Sequence, residues 1–276
     1  MSTLLSPARA GTALTGRAGA AVAALGDRAR ICDLYDADGS PVYHDICGTT
    51  GYEVKEILAA LQGAEGAVLD LAAGTGRLTF PLLAAGFEVT ALELSPDMLG
   101  LLRTALAGAP EEIRRRCTTV EADMGSFSLP GHYGTILLGT TTISLLPPDE
   151  RSGLYRSVRE HLLPGGRFLL TTVDVDPAGD GTDEDVVLVP AASGRIYAMY
   201  EQWTAGADSR TVTVLPQPIP ADGPVTVATT TIGVVPAALL AAELDEAGFT
   251  LLRTTPIGGP DGSRHHDVLI EAEVRP

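Results

Sequence analysis

The fold of this chain is decided by the stretch Val68-Leu69-Asp70-Leu71-Ala72-Ala73-Gly74-Thr75-Gly76-Arg77. A short apolar run followed by two glycines predicts a buried β-strand that turns into a helix. Gly74 and Gly76 allow the backbone to approach a ligand closely, with the amides of the following helix behind them. In a doubly wound sheet, ligands bind beyond the carboxyl ends of the strands, which is where this turn lies. The stretch therefore predicts a ligand-binding turn in an α/β fold.

Short apolar runs and helical patterns alternate on both sides of this turn, as in a series of βαβ units. Strands are predicted at 67–71, 87–93, 118–121, 133–138 and 167–173, and helices at 78–85, 98–107 and 148–162. Short strands joined by helices indicate a parallel sheet with right-handed crossovers, covered on both faces. A helix at 236–248 and two strands at 249–254 and 267–274 complete the predicted domain.

The pattern changes between this series and its last helix. From residue 174 to about 235 the helical signals vanish and apolar residues alternate with polar ones, which predicts an antiparallel β insertion. A helix is predicted near 17–35. We therefore predict an N-terminal helical lid segment at 1–54, a Rossmann-like domain at 55–174 and 235–276, and a β-rich insertion at 175–234. The insertion would serve as a substrate cap or as the interface of a homodimer.

The composition excludes several classes of protein. The chain has 276 residues, with 19 basic residues against 35 acidic ones and a formal net charge of −16. Such a charge disfavours sequence-independent binding of nucleic acid, because the phosphate backbone would repel it. No stretch reaches the roughly 18 uninterrupted apolar residues of a membrane-spanning helix. Cys32, Cys47 and Cys117 are far apart, so neither a disulfide framework nor a zinc site is indicated. A cytoplasmic protein without bound metal, membrane or nucleic acid is expected.

Acidic residues at the predicted strand ends indicate which ligand the turn binds. The dinucleotide fingerprint G-x-G-x-x-G fails, because its third glycine position is Thr79. Asp70 would be a poor neighbour for a pyrophosphate and a good one for an ammonium or a sulfonium. Glu93 ends the second strand, where an acid can accept hydrogen bonds from ribose hydroxyls or simply precede a helix. Asp123 follows the third strand and could accept from an exocyclic amino group or act as a turn residue.

These motifs resemble, in order and spacing, those of the class I S-adenosylmethionine (SAM)-dependent methyltransferases. The resemblance covers roughly residues 55–175 and, by strand pattern, the last 40 residues. Its motifs lie at 70–77, 93–99, 121–124, 133–146 and 162–170. The resemblance implies a doubly wound seven-stranded sheet, SAM as the cofactor and S-adenosylhomocysteine as its product. One departure is Ala72, where the family usually has Gly; because Ala tolerates a positive φ poorly, a shifted turn is expected there.

The resemblance also implies a role for each residue of the cofactor site. Asp70 and the turn containing Ala72, Gly74 and Gly76 would hold the methionine part of SAM. Glu93 would bind the ribose and Asp123 the adenine amino group. The remaining predicted contacts are Leu94 and Met124 on the adenine faces and Thr140 in the methionine pocket.

Aromatic residues cluster in the two segments outside the Rossmann-like domain. The N-terminal segment contains Tyr35, Tyr43 and Tyr52 among several aspartates, and it is similar to the lid of small-molecule and peptide methyltransferases. The insertion contributes Tyr197, Tyr200, Glu201 and Trp203. Aromatic rings and carboxylates together suit a cationic amine through cation–π and ion-pair contacts. The alternative is that these aromatics fill the core of the insertion or a dimer interface.

Methylation of an amine requires the loss of a proton. An alkylamine with a pKa of about 10 is only roughly 0.1% neutral at pH 7, which corresponds to about 4 kcal/mol. The candidate proton acceptors are His44, Asp45 and Glu201, with His265 and His266 as the second choice. A metal-assisted mechanism is disfavoured, because the loop after the fourth strand, at 139–144, contains no Asp or Asn.

Three functions remain open at this level, with an NAD-dependent dehydrogenase as a distant fourth. The first is an N-methyltransferase of secondary metabolism acting on an amine, with dimethylation of a ribosomally made peptide of the daptide type as the specific form. The second is an O- or N-methyltransferase of a non-peptide small molecule. The third is a catalytically inactive SAM-fold binding protein, against which the intact set of Asp70, Gly74, Gly76 and Glu93 argues.

Overall fold

The computed structural model describes residues 14–47, 51–175, 182–204, 206–258 and 265–275. The chain divides into two compact units. Residues 1–50 and 177–232 form one, called here the insertion unit, and residues 51–176 and 233–276 form the other, called the Rossmann unit. Within the described residues, no helix is long and apolar enough to cross a membrane.

The helices and strands of the described residues have the following bounds. The helices are α1 (Gly16–Leu25), α2 (Ser40–Cys47), α3 (Val54–Ala60), α4 (Thr79–Ala84), α5 (Pro96–Gly108), α6 (Glu111–Arg115), α7 (Pro148–His161) and α8 (Ala237–Glu246). The strands are β1 (Ala29–Asp33), β2 (Val68–Leu71), β3 (Val89–Glu93), β4 (Cys117–Glu121), β5 (Tyr133–Leu138), β6 (Leu162–Val175), β7 (Thr182–Pro190), β8 (Ile196–Thr204), β9 (Ser209–Gln217), β10 (Val225–Gly233), β11 (Phe249–Pro256) and β12 (His265–Val274).

The Rossmann unit is built on a seven-stranded sheet in the order β11-β12-β6-β5-β2-β3-β4. The strands are parallel except β12, which runs antiparallel to both β6 and β11. The chain runs outward from β2 to β4 and then returns to place β5 on the other side of β2, so the topological switch point lies between β2 and β5. The predicted doubly wound α/β fold with seven strands is confirmed.

Local sequence explains why these elements form. Every residue of β2 is buried, as expected for a central parallel strand covered on both faces. Helix α5 starts at a preferred N-cap, because the Ser95 hydroxyl accepts a hydrogen bond from the Met98 amide at 3.3 Å and Pro96 follows at the first helical position. Helix α7 also begins with a proline, Pro148, and carries acidic residues in its first turn and basic ones in its last, which complements the helix dipole. These helices cover two apolar clusters on the faces of the sheet.

The insertion unit has its own five-stranded sheet in the order β1-β10-β9-β8-β7. Strands β7, β8 and β9 form the predicted antiparallel meander. The predicted helix near 17–35 is wrong beyond Leu25, because Ala29–Asp33 is strand β1 and pairs in parallel with Val225–Thr229. The N-terminal segment is therefore not purely helical, and it shares a sheet with the insertion. The local sequence could not indicate this strand, since its most apolar residue, Ile31, is 60% exposed and the strand depends on its distant partner.

Candidate active site

The glycine turn after β2 has the backbone that a cofactor loop needs. Ala72, Gly74 and Gly76 have φ angles of 51°, 57° and 98°. At Gly76 an added Cβ would lie 2.6 Å from Leu102 Cδ1, so this position requires glycine for packing as well as for conformation. Ala72 adopts the left-handed conformation despite its side chain, at a cost of about 1–2 kcal/mol. The family departure at residue 72 is therefore accommodated as local strain.

Asp70 lies at the end of β2 in a fully enclosed position. The residue is 1% exposed, and its Oδ2 accepts a hydrogen bond from the Thr79 hydroxyl at 2.6 Å. Burial raises the pKa of Asp70 to about 7, with the Thr79 hydrogen bond and Arg77 acting in the opposite direction. A cation bound nearby would favour the ionised carboxylate. This arrangement suits a sulfonium or an ammonium, because binding of either cation would shift Asp70 toward its ionised form.

Glu93 connects the end of β3 to the glycine turn. Its Oε2 accepts from the Gly74 amide and its Oε1 from the Ser95 amide, each at 2.8 Å. Burial raises the pKa of Glu93, although these hydrogen bonds oppose the shift. A carboxylate offers about four acceptor sites, so capacity remains for a ribose hydroxyl. Glu93 therefore shapes the turn in addition to its predicted binding role.

The predicted adenine contacts follow β3 and β4. Asp123 Oδ1 accepts from the Gly125 amide at 2.8 Å, which is the turn geometry that the sequence left open for this residue. Met124 is buried, and Leu94 is half-buried. Strands β4, β3, β2 and β5 are neighbours in the sheet, so Asp123, Glu93, Asp70 and Thr140 all lie at or just after the carboxyl ends of strands, at one edge. A set of carboxylates fits SAM, whose sulfonium, amino group and ribose hydroxyls are cations or donors.

A buried ion pair completes this edge, and the sequence did not reveal it. The side chain of Glu53 is fully buried and forms an ion pair with the Arg77 guanidinium. Its two carboxylate oxygens accept hydrogen bonds from the Thr140 amide at 2.8 and 3.0 Å. The Thr140 hydroxyl donates to Glu53 Oε1 at 3.1 Å and accepts from Arg77. Glu53 therefore fixes Thr140, the residue predicted to line the methionine pocket, through both its amide and its hydroxyl.

Backbone strain concentrates at the same place. Among the described residues, the non-glycine residues with positive φ are Glu53, Ala72, Thr140 and Thr141, with φ angles of 56°, 51°, 58° and 55°. A positive φ is unusual for a β-branched residue, and two consecutive threonines share it here. Such strain persists where the surrounding contacts over-determine it, and it gathers at ligand sites. The hydrogen bonds from Thr140 to Glu53 and from the Thr141 amide to the Thr171 hydroxyl, the latter at 3.0 Å, supply those contacts.

Tyr52 belongs to the Rossmann unit, although it was predicted as part of the lid segment. Its carbonyl accepts from Arg77 Nη1 at 2.9 Å, and its hydroxyl donates to Asp267 on β12. Burial and the contact with Asp267 raise the pKa of the Tyr52 hydroxyl, so it remains a donor. Nothing in the local sequence pairs Tyr52 with Asp267 or Glu53 with Arg77, because each pair is far apart along the chain.

The other predicted acceptor residues lie in the insertion unit. Tyr35 and Tyr43 meet edge to face with ring centroids 5.6 Å apart. Asp45 Oδ2 accepts from the Ser193 hydroxyl at 2.6 Å and from the Tyr197 hydroxyl at 3.1 Å. Although desolvation raises the pKa of Asp45, hydrogen bonds from Ser193 and Tyr197 outweigh it and lower the pKa overall. This geometry suits a structural anchor better than a proton acceptor.

Strand alternation separates the predicted residues of β8. Tyr197, Glu201 and Trp203 point to one face of the sheet, whereas Tyr200 points to the other and packs in an apolar cluster with Leu25. The Glu201 carboxylate pairs with Arg210 Nη1 at 3.4 Å, and the Arg210 guanidinium lies 4.7 Å from the centre of the Trp203 ring. The cation over Trp203 in this structure is thus the protein's own Arg210, which no local sequence pattern indicates.

Among the histidines predicted as proton acceptors, His44 on α2 has a buried Nδ1 with no hydrogen-bond partner in the described residues. His266 is exposed on β12, and the side chain of His265 lies outside the described residues. Within the described ranges, no group of three or more His, Cys, Asp or Glu side chains could hold a metal ion.

Comparison with known proteins adds to this geometry. A family model described as a methyltransferase domain matches residues 68–166. The glycopeptide N-methyltransferase MtfA, solved in complex with SAM, is 33% identical, with a TM-score of 0.67 over 96% of this chain and 100% of that one. The cypemycin N-terminal methyltransferase of Streptomyces sp is 30% identical over 108 residues, which are 39% of this chain and 42% of that protein.

A further relative is the ubiquinone biosynthesis O-methyltransferase of Xanthomonas euvesicatoria pv. vesicatoria, 28% identical over 146 residues, which are 52% of this chain and 57% of that protein. The matched regions thus span 42% and 57% of the lengths of these two curated relatives. MtfA has also been solved with S-adenosylhomocysteine bound. The predicted cofactor and its product are confirmed by these matches.

Proposed function

This chain belongs to the class I SAM-dependent methyltransferases, and we propose that it methylates the nitrogen of an amine in secondary metabolism, on a peptide substrate. The specific form of the proposal is dimethylation of the amine of a ribosomally made peptide of the daptide type. The observation that carries it is the similarity to a glycopeptide N-methyltransferase over 96% of this chain and 100% of that one. The cypemycin N-terminal methyltransferase, whose name also specifies a peptide amine, supports the same acceptor class.

SAM, when bound, supplies an electrophilic methyl group on a sulfonium. The residues of the Rossmann unit would bind and align it, and alignment of two reactants can lower a barrier by about 7–11 kcal/mol. Asp70 and Glu93 provide carboxylates at the ends of β2 and β3, and Glu53 holds the loop after β5 in its strained conformation. No side chain of the protein needs to act as a nucleophile.

The acceptor nitrogen must reach the methyl group as a neutral amine. Of the three proton acceptors predicted from the sequence, Asp45 is engaged by Ser193 and Tyr197, and Glu201 is paired with Arg210. An ion pair does not stabilise an added ammonium as a lone carboxylate would, because the guanidinium cancels the charge. His44 has an unused ring nitrogen in the described residues and remains the strongest of the three.

The proposal is tested by offering the enzyme a small panel of acceptors with SAM and analysing the products by mass spectrometry. We expect tri-alanine with a free amino terminus to gain the mass of one or two methyl groups, and N-acetylated tri-alanine, the matched control, to gain none. Methylation of a catechol or an amino sugar but not of tri-alanine would replace this proposal by the alternative, a methyltransferase of non-peptide small molecules. No methylation of any acceptor by enzyme that binds SAM would overturn it.

We further propose a cytoplasmic enzyme that forms a homodimer through the insertion unit and has no nucleic-acid or membrane partner. Large apolar side chains exposed on one face of the neighbouring strands β7 and β8 support the interface: Leu188 and Ile196 are 58% and 43% exposed. Sedimentation of the wild-type chain and of a Leu188→Lys variant tests the interface. We expect the variant to shift toward the monomer, and a monomeric wild type would refute the proposal.

A further inference from the structure

Asp267 on β12 has one carboxylate oxygen that the described residues leave unsatisfied. Its Oδ2 accepts the hydrogen bond of the Tyr52 hydroxyl, whereas Oδ1 is buried and has no hydrogen-bond partner in the described part of the chain. Buried carboxylate oxygens are normally hydrogen-bonded, because desolvation without a partner is costly. Because Tyr52 orients the carboxylate through Oδ2, the unsatisfied Oδ1 indicates a position where the hydrogen-bond donor of a ligand can bind.

Asp267 is connected to the cofactor residues by a continuous series of contacts within the Rossmann unit. Tyr52, which holds Asp267 Oδ2, also accepts from Arg77 at the end of the glycine turn. Arg77 pairs with Glu53, and Glu53 binds the amide of Thr140 after β5. The same network therefore reaches from the ends of β2 and β5 to β12.

The sheet register places Asp267 on the side of the switch point away from the adenosine residues. Asp267 lies opposite Val173, near the carboxyl end of β6, and β6 is the neighbour of β5. The predicted ribose and adenine residues follow β3 and β4, on the other side of β2. Asp267 is thus a carboxylate on the half of this edge that the predicted ribose and adenine contacts do not use, the half that also carries Thr140 after β5.

We propose that Asp267 is a catalytic residue that binds the acceptor ammonium through Oδ1 and takes its proton, while Tyr52 positions the carboxylate through Oδ2. This inference rests on the proposed amine acceptor. The proton passes from nitrogen to Asp267, and the freed lone pair forms the bond to the methyl carbon of SAM. The carbon–sulfur bond breaks with its electrons on sulfur, which gives S-adenosylhomocysteine and a methylated ammonium. Asp267 then returns its proton to water.

Asp267→Asn tests this assignment, because asparagine keeps an oxygen for the Tyr52 hydroxyl but cannot accept the proton. The control is Asp245→Asn, which removes an exposed carboxylate paired with Arg275 at 3.1 Å. His44→Gln serves as the competing variant. Thermal melting and calorimetric titration with SAM come first, and we expect both to match the wild type for Asp267→Asn, with a Kd within about twofold.

We expect Asp267→Asn to lower kcat/KM for tri-alanine by on the order of 10²–10⁴, the range of general base catalysis. The loss should shrink as the pH rises above about 8, where a peptide amino terminus loses its proton unaided. In calorimetry on the S-adenosylhomocysteine complex, tri-alanine should bind Asp267→Asn on the order of tenfold more weakly than wild type, following the lost ion pair. Tyr52→Phe should show a smaller loss with the same pH dependence.

The outcomes separate this inference from the proposed function. Wild-type activity in Asp267→Asn, or a pH-independent loss accompanied by weaker SAM binding, would overturn the role of Asp267. A loss of kcat/KM in His44→Gln but not in Asp267→Asn would also overturn it. If the wild type binds SAM but methylates no amine, the proposed function fails and the role of Asp267 fails with it.

Discussion

Replacement of Glu53 by glutamine tests whether the buried ion pair holds the cofactor edge together. The Glu53 side chain is fully buried and that of Arg77 is 7% exposed, so neither charge is compensated by solvent. Glutamine retains an oxygen for the Thr140 amide but removes the negative charge that compensates the Arg77 guanidinium. Removal of one partner of a buried pair costs about 3–5 kcal/mol, and the retained hydrogen bond favours the lower end, about 3 kcal/mol.

The assay is unfolding by urea and by heat, followed by circular dichroism. A loss of about 3 kcal/mol corresponds to a decrease in Tm of roughly 6–12 °C for a chain of this size. The control is Glu56→Gln in the first turn of α3, the helix that Glu53 precedes. Glu56 makes no ion pair in the described residues, so this change should alter stability by less than about 0.5 kcal/mol.

A double variant isolates the pair from the rest of the site. Arg77→Gln alone removes the positive charge that compensates the Glu53 carboxylate, and it should lower the free energy of unfolding as much as Glu53→Gln. In the double variant, the loss of unfolding free energy should be smaller than the sum of the two single losses by at least about 1 kcal/mol. A loss below about 1 kcal/mol in Glu53→Gln, or strict additivity in the double variant, would refute the assignment of the pair as a structural clamp.

Three further predictions concern the glycine turn and the end of β2. Ala72→Gly should raise the free energy of unfolding by about 0.5–1 kcal/mol, because relief of left-handed alanine (about 1–2 kcal/mol) exceeds the added chain entropy of glycine. Ala73→Gly, at a residue without a positive φ, should instead lower the free energy of unfolding. If urea unfolding shows changes of the same sign for both variants, the argument from left-handed alanine is wrong. Gly76→Ala should destabilise by about 2 kcal/mol or more, since its Cβ would lie 2.6 Å from Leu102 Cδ1; an unchanged urea midpoint would show that Leu102 yields freely. Because the pKa of Asp70 is raised to about 7, its contribution to stability is fully present below its unfolded value near 3.8 and lost as the pH rises through about 7. Ionisation of Asp70 over the same pH range should also strengthen the binding of the SAM cation. Asp70→Asn should remove both pH dependences, and an unchanged pH profile of either stability or SAM affinity would exclude Asp70 as the group responsible.

Much of the Rossmann unit could be predicted from the sequence, because its signals are local. Strand β2 and helix α4 were predicted to within about a residue, since a short apolar run next to two glycines has few alternatives. Strand β5 was predicted at its observed bounds. The strand ends place Asp70 and Glu93 at one edge of the sheet whatever the details of packing.

The errors fall where distant parts of the chain meet. The local pattern predicts helix where strand β1 lies, because the pairing of β1 with β10 joins residues almost 200 positions apart and its own pattern is weak. The composition of the insertion groups Tyr200 with Tyr197 and Trp203, although strand alternation places Tyr200 on the opposite face of the sheet. The sequence also contained no sign that Arg210 would neutralise Glu201.

The sequence by itself determined the family, the fold class and the acids that follow the strands of the cofactor edge. Hydrophobic periodicity and glycine turns act over a few residues, so they can be read in order along the chain. Only the tertiary structure decided which charges are paired, such as Glu53 with Arg77, and which polar atoms lack a partner among the described residues, such as Oδ1 of Asp267. Those properties depend on burial and on contacts between distant segments, because a charge acquires its partner and its pKa only when the fold removes it from water.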